Sequence, residues 1–127
     1  MRLARNAPPV GRMAVRVRQS RDRAAAPALR ACYPTLASLR LCFDFNDPSK
    51  FVPSPQVTVF HPPARAYFRF VCPYGDCDGE FDLTQAVELM RSGDKSRTSG
   101  HLHCAGRRHG GALCTLSLTY SVAAQLG

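Results

Sequence analysis

The stretch VCPYGDCDG, residues 71–79, decides the fold of this 127-residue chain. Cys72 and Cys77 lie on either side of a tight turn made of Pro, Tyr, Gly and Asp. A turn of this kind can present two thiolates to one metal ion, and zinc prefers thiolates in tetrahedral sites. The stretch therefore predicts one half of a metal site.

The other half is predicted from Cys104 and Cys114, which nine residues separate. This spacing is wide for one metal-binding turn, but two neighbouring strands of a hairpin would bring the cysteines side by side. Backbone amides commonly donate to such sulfurs. We expect donors near Gly75, Asp76, Gly79 and Gly106. The predicted cofactor is zinc, and its predicted ligands are Cys72, Cys77, Cys104 and Cys114.

Other interpretations of the same cysteines stay open at this point. Free cysteines are often small buried hydrophobic side chains, and a disulfide could join Cys72 to Cys77 or Cys104 to Cys114. Cys32 and Cys42 have no partner at a suitable spacing, so we expect neither to be a ligand.

A catalytic metal site needs an open coordination position and usually a carboxylate that acts as a base. Substitute ligands are available at His101, His103 and His109, and Asp78 or Glu80 could be the base. Four thiols would close the coordination shell. We therefore expect a structural site with no catalytic residues.

Residues 72–114 resemble a zinc ribbon or a treble-clef-like module, because two cysteine turns are combined with a hairpin and a short helix. The chain departs from the ribbon pattern in its wide second spacing and in the helix between the two cysteine pairs. The resemblance implies a metal-stabilised module and names no partner.

Around this centre the sequence predicts an α+β fold, with one helix and a small antiparallel sheet of about five strands. Apolar residues alternate from Leu39 to Phe45, as in a half-buried strand. A hairpin is expected between residues 56–60 and residues 67–71, and the final strand over residues 113–122. Asp82 is the expected N-cap of the helix, which Gly93 ends. Residues 92–100 are expected to form a polar loop.

The basic charge is concentrated at the beginning of the chain. Eight arginines and one acid occupy residues 1–31, whereas nine basic and eight acidic residues follow. We predict a basic disordered arm over residues 1–31, able to form a helix on an anionic surface, and a zinc-stabilised domain over residues 32–127.

Arginines contact nucleic-acid phosphates first and bases little. The predicted nucleic-acid contacts are Arg12, Arg16, Arg18, Arg21, Arg23, Arg107 and Arg108. Tyr67, Phe68 and Phe70 alternate with Arg69, a pattern that can stack bases where it is exposed, although a core role for Phe68 and Phe70 is favoured.

The predicted function is a non-enzymatic binding module whose partner is RNA, DNA, or a ribosome or polymerase component. A protein-interaction adaptor without nucleic-acid contact is the alternative, and a metal-dependent enzyme is the third interpretation. The arm lacks the apolar run of a secretory signal, and no run of apolar residues suits a membrane span. We therefore expect a reducing cytoplasm, where paired cysteines are more often metal ligands than disulfides.

Overall fold

The computed structural model describes the backbone of residues 8–127 and the side chains from Gly11 onward. Helices and strands follow one another in the order α1 (Pro8–Ala25), α2 (Leu29–Cys32), β1 (Leu36–Asn46), β2 (Gln56–Phe60), β3 (Arg69–Val71), β4 (Glu80–Asp82), α3 (Thr84–Ser92), β5 (Arg97–His103) and β6 (Ser117–Leu126). The predicted α+β class is confirmed, with six strands and three helices in the described residues.

Four strands form one antiparallel sheet in the order β2-β1-β6-β5. In β1 the side chains of Leu39, Leu41 and Phe43 are buried, which follows the alternation in the sequence. Leu41 lies opposite Thr58 of β2 and Val122 of β6. The inner face of this sheet supplies one wall of the core.

The expected hairpin between residues 56–60 and residues 67–71 is wrong. β2 pairs with β1, whereas β3 pairs with β4 in a separate two-stranded sheet. Backbone bonds from Leu29 to Ala64 and from Ala66 to Pro27 hold the intervening loop against residues 27–29. The cysteine turn then returns the chain beside β3, so β4 is the nearer partner.

Boundaries in the second half of the chain also differ from the prediction. α3 begins at Thr84, and Asp82 accepts hydrogen bonds from the Thr84 amide and hydroxyl without being the N-cap itself. Residues 97–100 of the predicted polar loop belong to strand β5. They are paired because β6 continues to Leu126, so that even Arg97, the first residue of β5, lies opposite a residue of β6, Ala123. Pairing with a long neighbour thus overrides the polar composition.

The basic arm is helical from Pro8 to Ala25, where the sequence predicts disorder; residues 1–7 of the arm lie outside the described residues. Two prolines in the first turn are compatible with a helix, since amides there have no intrahelical partner. Side chains of Arg12, Arg18 and Gln19 bond to the folded part of the chain. The division of the chain at residue 31 stays a prediction.

The core lies between the four-stranded sheet, α3 and the small β3-β4 sheet. Val87 and Met90 of α3 cover the sheet together with Leu83, which precedes the helix. Phe81 of β4 and Phe68, which precedes β3, belong to the same cluster. The cysteine pairs are part of the same apolar cluster. Within residues 8–127, no helix is both long and apolar enough to cross a membrane.

Candidate metal centre

The four sulfur atoms of Cys72, Cys77, Cys104 and Cys114 lie within 4.8 Å of one another. Their residues are 0, 0, 6 and 7 % exposed, respectively. The Sγ atoms of Cys77 and Cys104 are 3.5 Å apart, and those of Cys72 and Cys114 are 3.9 Å apart. A tetrahedral zinc with Zn–S bonds of about 2.3 Å requires S–S separations of about 3.8 Å. The donor set and its spacing therefore fit one tetrahedral metal ion.

The first cysteine loop connects β3 to β4. Cys72 follows the last residue of β3, and its amide donates to the Gly79 carbonyl at 3.0 Å. The amide of Cys77 donates to the Tyr74 carbonyl at 3.1 Å, which closes a tight turn inside the loop. These two bonds direct both sulfurs to the same side.

The second cysteine loop connects β5 to β6, as the hairpin interpretation of its wide spacing requires. The amide of Cys104 donates to the Leu116 carbonyl at 2.9 Å, and that of Cys114 donates to the Gly106 carbonyl at 3.0 Å. Between them the chain turns through Gly110 and Gly111, whose φ angles are 86° and 87°. Positive φ at both positions suits glycine.

Two of the four predicted amide donors contact sulfur. The Gly79 amide donates to Sγ of Cys77 at 3.3 Å, and the Gly106 amide donates to Sγ of Cys104 at 3.4 Å. Each loop thus contains a Cys-x-Gly unit in which the glycine amide donates to the sulfur of the cysteine two residues before it. Amide donors of this kind stabilise negative charge on sulfur.

Hydrogen bonding among the thiols and their burial give the cysteines different pKa values. A hydrogen bond with the Cys72 thiol lowers the pKa of Cys104 to about 5, with the Gly106 amide as a further donor. The bond with Cys104, followed by burial, raises the pKa of Cys72 well above its ordinary range. Burial raises the pKa of Cys77 to about 12. Without a metal, the thiol of Cys104 is therefore a stronger acid than the thiols of Cys72 and Cys77.

Arg12 of α1 connects the helix to the first cysteine loop. Its Nη1 donates to the carbonyl oxygens of Cys72, Tyr74 and Cys77 at 2.6, 2.9 and 3.1 Å. Three carbonyls of one loop therefore converge on one guanidinium. The arginine fixes the backbone that carries two of the four sulfurs.

The two cysteine loops also contact each other outside the sulfur cluster. Arg108 donates to Asp76 at 2.6 Å, and its guanidinium carbon lies 4.0 Å from the centre of the Tyr74 ring. Asp78 accepts a 2.7 Å bond from the Arg107 amide, and its own amide donates to the Arg107 carbonyl. These contacts hold the two cysteine loops against each other.

The first loop is further tied to the end of β1, because the Tyr74 hydroxyl donates to Asp47. Bonds from the Ser49 hydroxyl and from Tyr74 lower the pKa of Asp47 below its usual range.

The candidate substitute ligands, and the two remaining cysteines that we expected not to be ligands, lie outside the cluster. His101, His103 and His109 are exposed, and Cys32 and Cys42 are not among the clustered sulfurs. All six cysteines are free, so neither proposed disulfide forms. The clustered cysteines are buried, but their convergence within 4.8 Å distinguishes them from ordinary apolar side chains.

The predicted nucleic-acid arginines are divided between two environments. Arg16, Arg21 and Arg23 of α1 are exposed. Arg18 pairs with Glu80, which also accepts a bond from Gln19. Arg107 and Arg108 are part of the second cysteine loop, and Arg12 of α1 bonds to the first. The structure thus does not bring all seven guanidinium groups to one surface.

Sequence reasoning missed Arg12, Gln19 and Asp47 as supports of the cysteine loops. Their partners are 27 to 65 residues away along the chain, and no local pattern indicates such contacts. The repeated Cys-x-Gly unit at Cys77 and Cys104 was the available signal for a matched pair of loops.

The centre can hold a tetrahedral metal ion and link three parts of the fold: the β3-β4 connection, the β5-β6 connection and helix α1. Comparison of the chain with protein-family models, with curated proteins and with solved structures finds no match.

Proposed function

We propose that this chain is a zinc-stabilised, non-enzymatic binding module that contacts nucleic acid, or a nucleic-acid machine such as a ribosome or an RNA polymerase, through the exposed arginines of α1. The convergence of four buried sulfurs within 4.8 Å carries the metal part of this proposal. The exposed arginines of α1 support the nucleic-acid part.

Zinc is the metal that the donor set favours. Tetrahedral sites with four thiolates hold zinc or iron, and divalent zinc binds such ligands more strongly than divalent iron does. Carboxylate and carbonyl oxygens, which magnesium and calcium prefer, are not among the four clustered donors.

A structural role follows from the closed donor set. Four protein thiolates fill a tetrahedral shell, whereas a catalytic zinc keeps a position for water or substrate. The metal would join the loop of Cys72 and Cys77 to that of Cys104 and Cys114, so its binding energy would stabilise the fold.

The exposed arginines of α1 supply the nucleic-acid surface in this proposal. They are Arg16, Arg21 and Arg23, and Asp22 is the acidic residue of the helix. Guanidinium groups bind phosphate oxygens through paired hydrogen bonds. Because Arg12 bonds to the first cysteine loop and Arg18 to Glu80 of β4, the same helix would connect the metal centre to the nucleic acid.

The direct test measures the affinity of the zinc-loaded protein for single-stranded and duplex oligonucleotides over a range of salt concentrations. Each phosphate contact that is lost should reduce the slope of log K against log salt by about 0.7 to 0.9. Replacing Arg16, Arg21 and Arg23 together by Gln should therefore reduce both the affinity and the slope. Substitution is preferred to deletion of residues 1–31, because deletion also removes Arg12.

A charge-matched control replaces Arg30, Arg40 and Arg97 by Gln, since these exposed arginines lie on other elements. The proposed surface requires this control to bind better than the α1 variant. Equal losses would indicate a response to net charge alone. A wild-type protein that binds no nucleic acid would remove this part of the proposal.

A protein-interaction adaptor is the second candidate, and one observation favours it. Met13 and Val17 of α1 are 64 and 63 % exposed, and they lie one helical turn apart. Replacing both by Ser should abolish capture of a protein partner while the salt-dependent affinity for nucleic acid is kept. If nucleic-acid binding is absent and capture depends on these two residues, the adaptor function replaces the first proposal.

A further inference from the structure

A groove runs between α1 and the aromatic side chains of β1 and β3. It consists of two adjoining cavities of about 300 and 370 Å³, which share Gln19, Arg23 and Val71 in their walls. The larger cavity is next to Arg16 and Ser20, and the smaller one is next to Phe45 and Phe70. One end of the groove is therefore cationic and the other is aromatic.

The cationic end is formed by one side of α1. Arg16, Ser20 and Arg23 are spaced four and three residues apart, so they lie along the same stripe of the helix. The side chain of Arg16 makes no hydrogen bond or ion pair with another residue in the described part of the chain. The guanidinium of Arg23 lies 5.1 Å from the centre of the Tyr67 ring, which leaves its N–H groups able to meet an anion.

The aromatic end is formed by the half-buried rings of Phe45 and Phe70. Both rings pack edge to face against Phe43, with centroid distances of 6.0 and 5.0 Å. This packing fixes their positions before any ligand arrives. Gln56 and Thr58 of the edge strand β2 add polar groups to the wall.

All the charged side chains that line the two cavities are positive. Three arginines and no carboxylate line the two cavities. One of them, Arg69, is held by Asp82 at 3.1 Å. Arg16 and Arg23 remain to attract an anionic ligand to the groove.

We propose that this groove binds single-stranded nucleic acid, with phosphates at Arg16 and Arg23 and one unstacked base against Phe45 and Phe70. The inference rests on the proposed function and names the class of its partner. A positive groove combined with stacking rings is the arrangement by which proteins hold single strands. Duplex bases are excluded because their faces are covered by their neighbours in the stack.

This assignment also changes the stacking hypothesis drawn from residues 67–70. Phe68 is buried and Tyr67 lies beneath Arg23, so two of the three aromatic side chains in that stretch do not line the groove. Phe70 remains, and its neighbour along the groove is Phe45 from another strand.

The test uses fluorescence anisotropy of zinc-loaded protein with a short labelled oligothymidylate, an abasic strand of equal length and a duplex. The oligothymidylate should bind about tenfold more tightly than the abasic strand, as one stacked base implies. Phe45→Leu together with Phe70→Leu removes both rings while keeping apolar side chains, and should remove this difference. Phe51→Leu, at an exposed phenylalanine outside the groove, is the matched control and should preserve it.

The cationic end is tested by replacing Arg16 and Arg23 together by Gln. This variant should lower the slope of log K against log salt by about 1.4 for the single strand. Arg30→Gln, on α2, should leave the slope unchanged. Zinc content and circular dichroism establish that each variant is folded.

Equal affinity for the oligothymidylate and the abasic strand, or full affinity in the variant that lacks the rings of Phe45 and Phe70, would overturn the groove assignment. If salt-dependent binding through α1 persists in that case, the proposed function survives without the groove. If no strand binds at all, both the groove and the nucleic-acid function fail. Preference for the duplex would likewise overturn the groove while leaving nucleic-acid binding in place.

Discussion

Gly79 and Gly106 are in direct backbone contact beside the sulfur cluster. A Cβ atom on Gly106 would lie 2.3 Å from the Gly79 nitrogen, and one on Gly79 would lie 2.2 Å from Sγ of Cys104. These distances are too short for non-bonded atoms, so each loop requires glycine where the other loop passes. The same two amides donate to Cys77 and Cys104.

Gly106→Ala should separate the two cysteine loops. The added methyl group meets backbone atoms, which cannot rotate away, so we expect a loss of stability of about 1–3 kcal/mol together with weaker metal binding. Chemical denaturation and competition with a chelator measure the two effects. Gly75→Ala is the matched control in the first loop, because no atom lies within 4 Å of its added Cβ. Gly106→Ala that behaves like this control would contradict the close contact.

Arg12→Ala should weaken metal binding although Arg12 does not contact a sulfur ligand. Its three bonds fix the carbonyls of the first cysteine loop, and residues that support ligands commonly change affinity by about 10-fold to 100-fold. Competition with a chromophoric chelator measures the affinity. Arg12→Lys, which keeps the charge but not the planar fork, should restore it only in part.

Arg21→Ala serves as the control for Arg12, since it removes an exposed arginine from the same helix. Unchanged metal affinity in Arg12→Ala would show that the helix does not support the metal centre.

Metal affinity should rise steeply with pH. The pKa values of Cys72 and Cys77 are raised, so both are protonated at pH 7 and must lose their protons to bind a metal. The pKa of Cys104 is lowered to about 5, so its proton is already absent at pH 7 and competes only near pH 5 and below. Affinity should therefore increase at least about a hundredfold per pH unit around neutrality.

Calorimetry in buffers of different ionisation enthalpy counts the protons released on binding. At least two should be released at pH 7, and the number should increase as the pH falls through 5. Release of no protons at pH 7 would mean that the cluster is already fully ionised.

Arg108 should stabilise the contact between the cysteine loops. Its side chain is about one third exposed, so solvent weakens the ion pair with Asp76. A double-mutant cycle with Arg108→Gln and Asp76→Asn should give a coupling free energy of about 0.2–1 kcal/mol. A coupling free energy of zero would mean that the ion pair does not stabilise the contact between the loops.

Local patterns predicted the parts of this structure that local forces decide. The alternation from Leu39 to Phe45 and the turn between Cys72 and Cys77 are short-range features, and both are found in the structure. Pairing of β3 with β4 depends on how the loop at Ala64 packs against Leu29, which no period in the sequence encodes. Likewise, α1 is held by Arg12, whose partners lie 60 to 65 residues away.

The cysteine spacing predicted which sulfurs should meet but not what surrounds them. Cys104 and Cys114 converge because β5 and β6 are paired, which the wide spacing indicated. The groove beside α1 could not be predicted, since it joins Arg16 of the arm to Phe45 of β1 and Phe70 of β3.

Elemental analysis of the purified protein, together with Cys77→Ser, tests the central claim most directly. The wild type should contain one zinc ion per chain and lose its cooperative unfolding transition when a strong chelator removes the metal. Cys77→Ser should bind zinc more weakly and be less stable, whereas Cys32→Ser should match the wild type. A metal-free wild-type protein that is folded, and whose stability neither added zinc nor Cys77→Ser changes, would contradict the account.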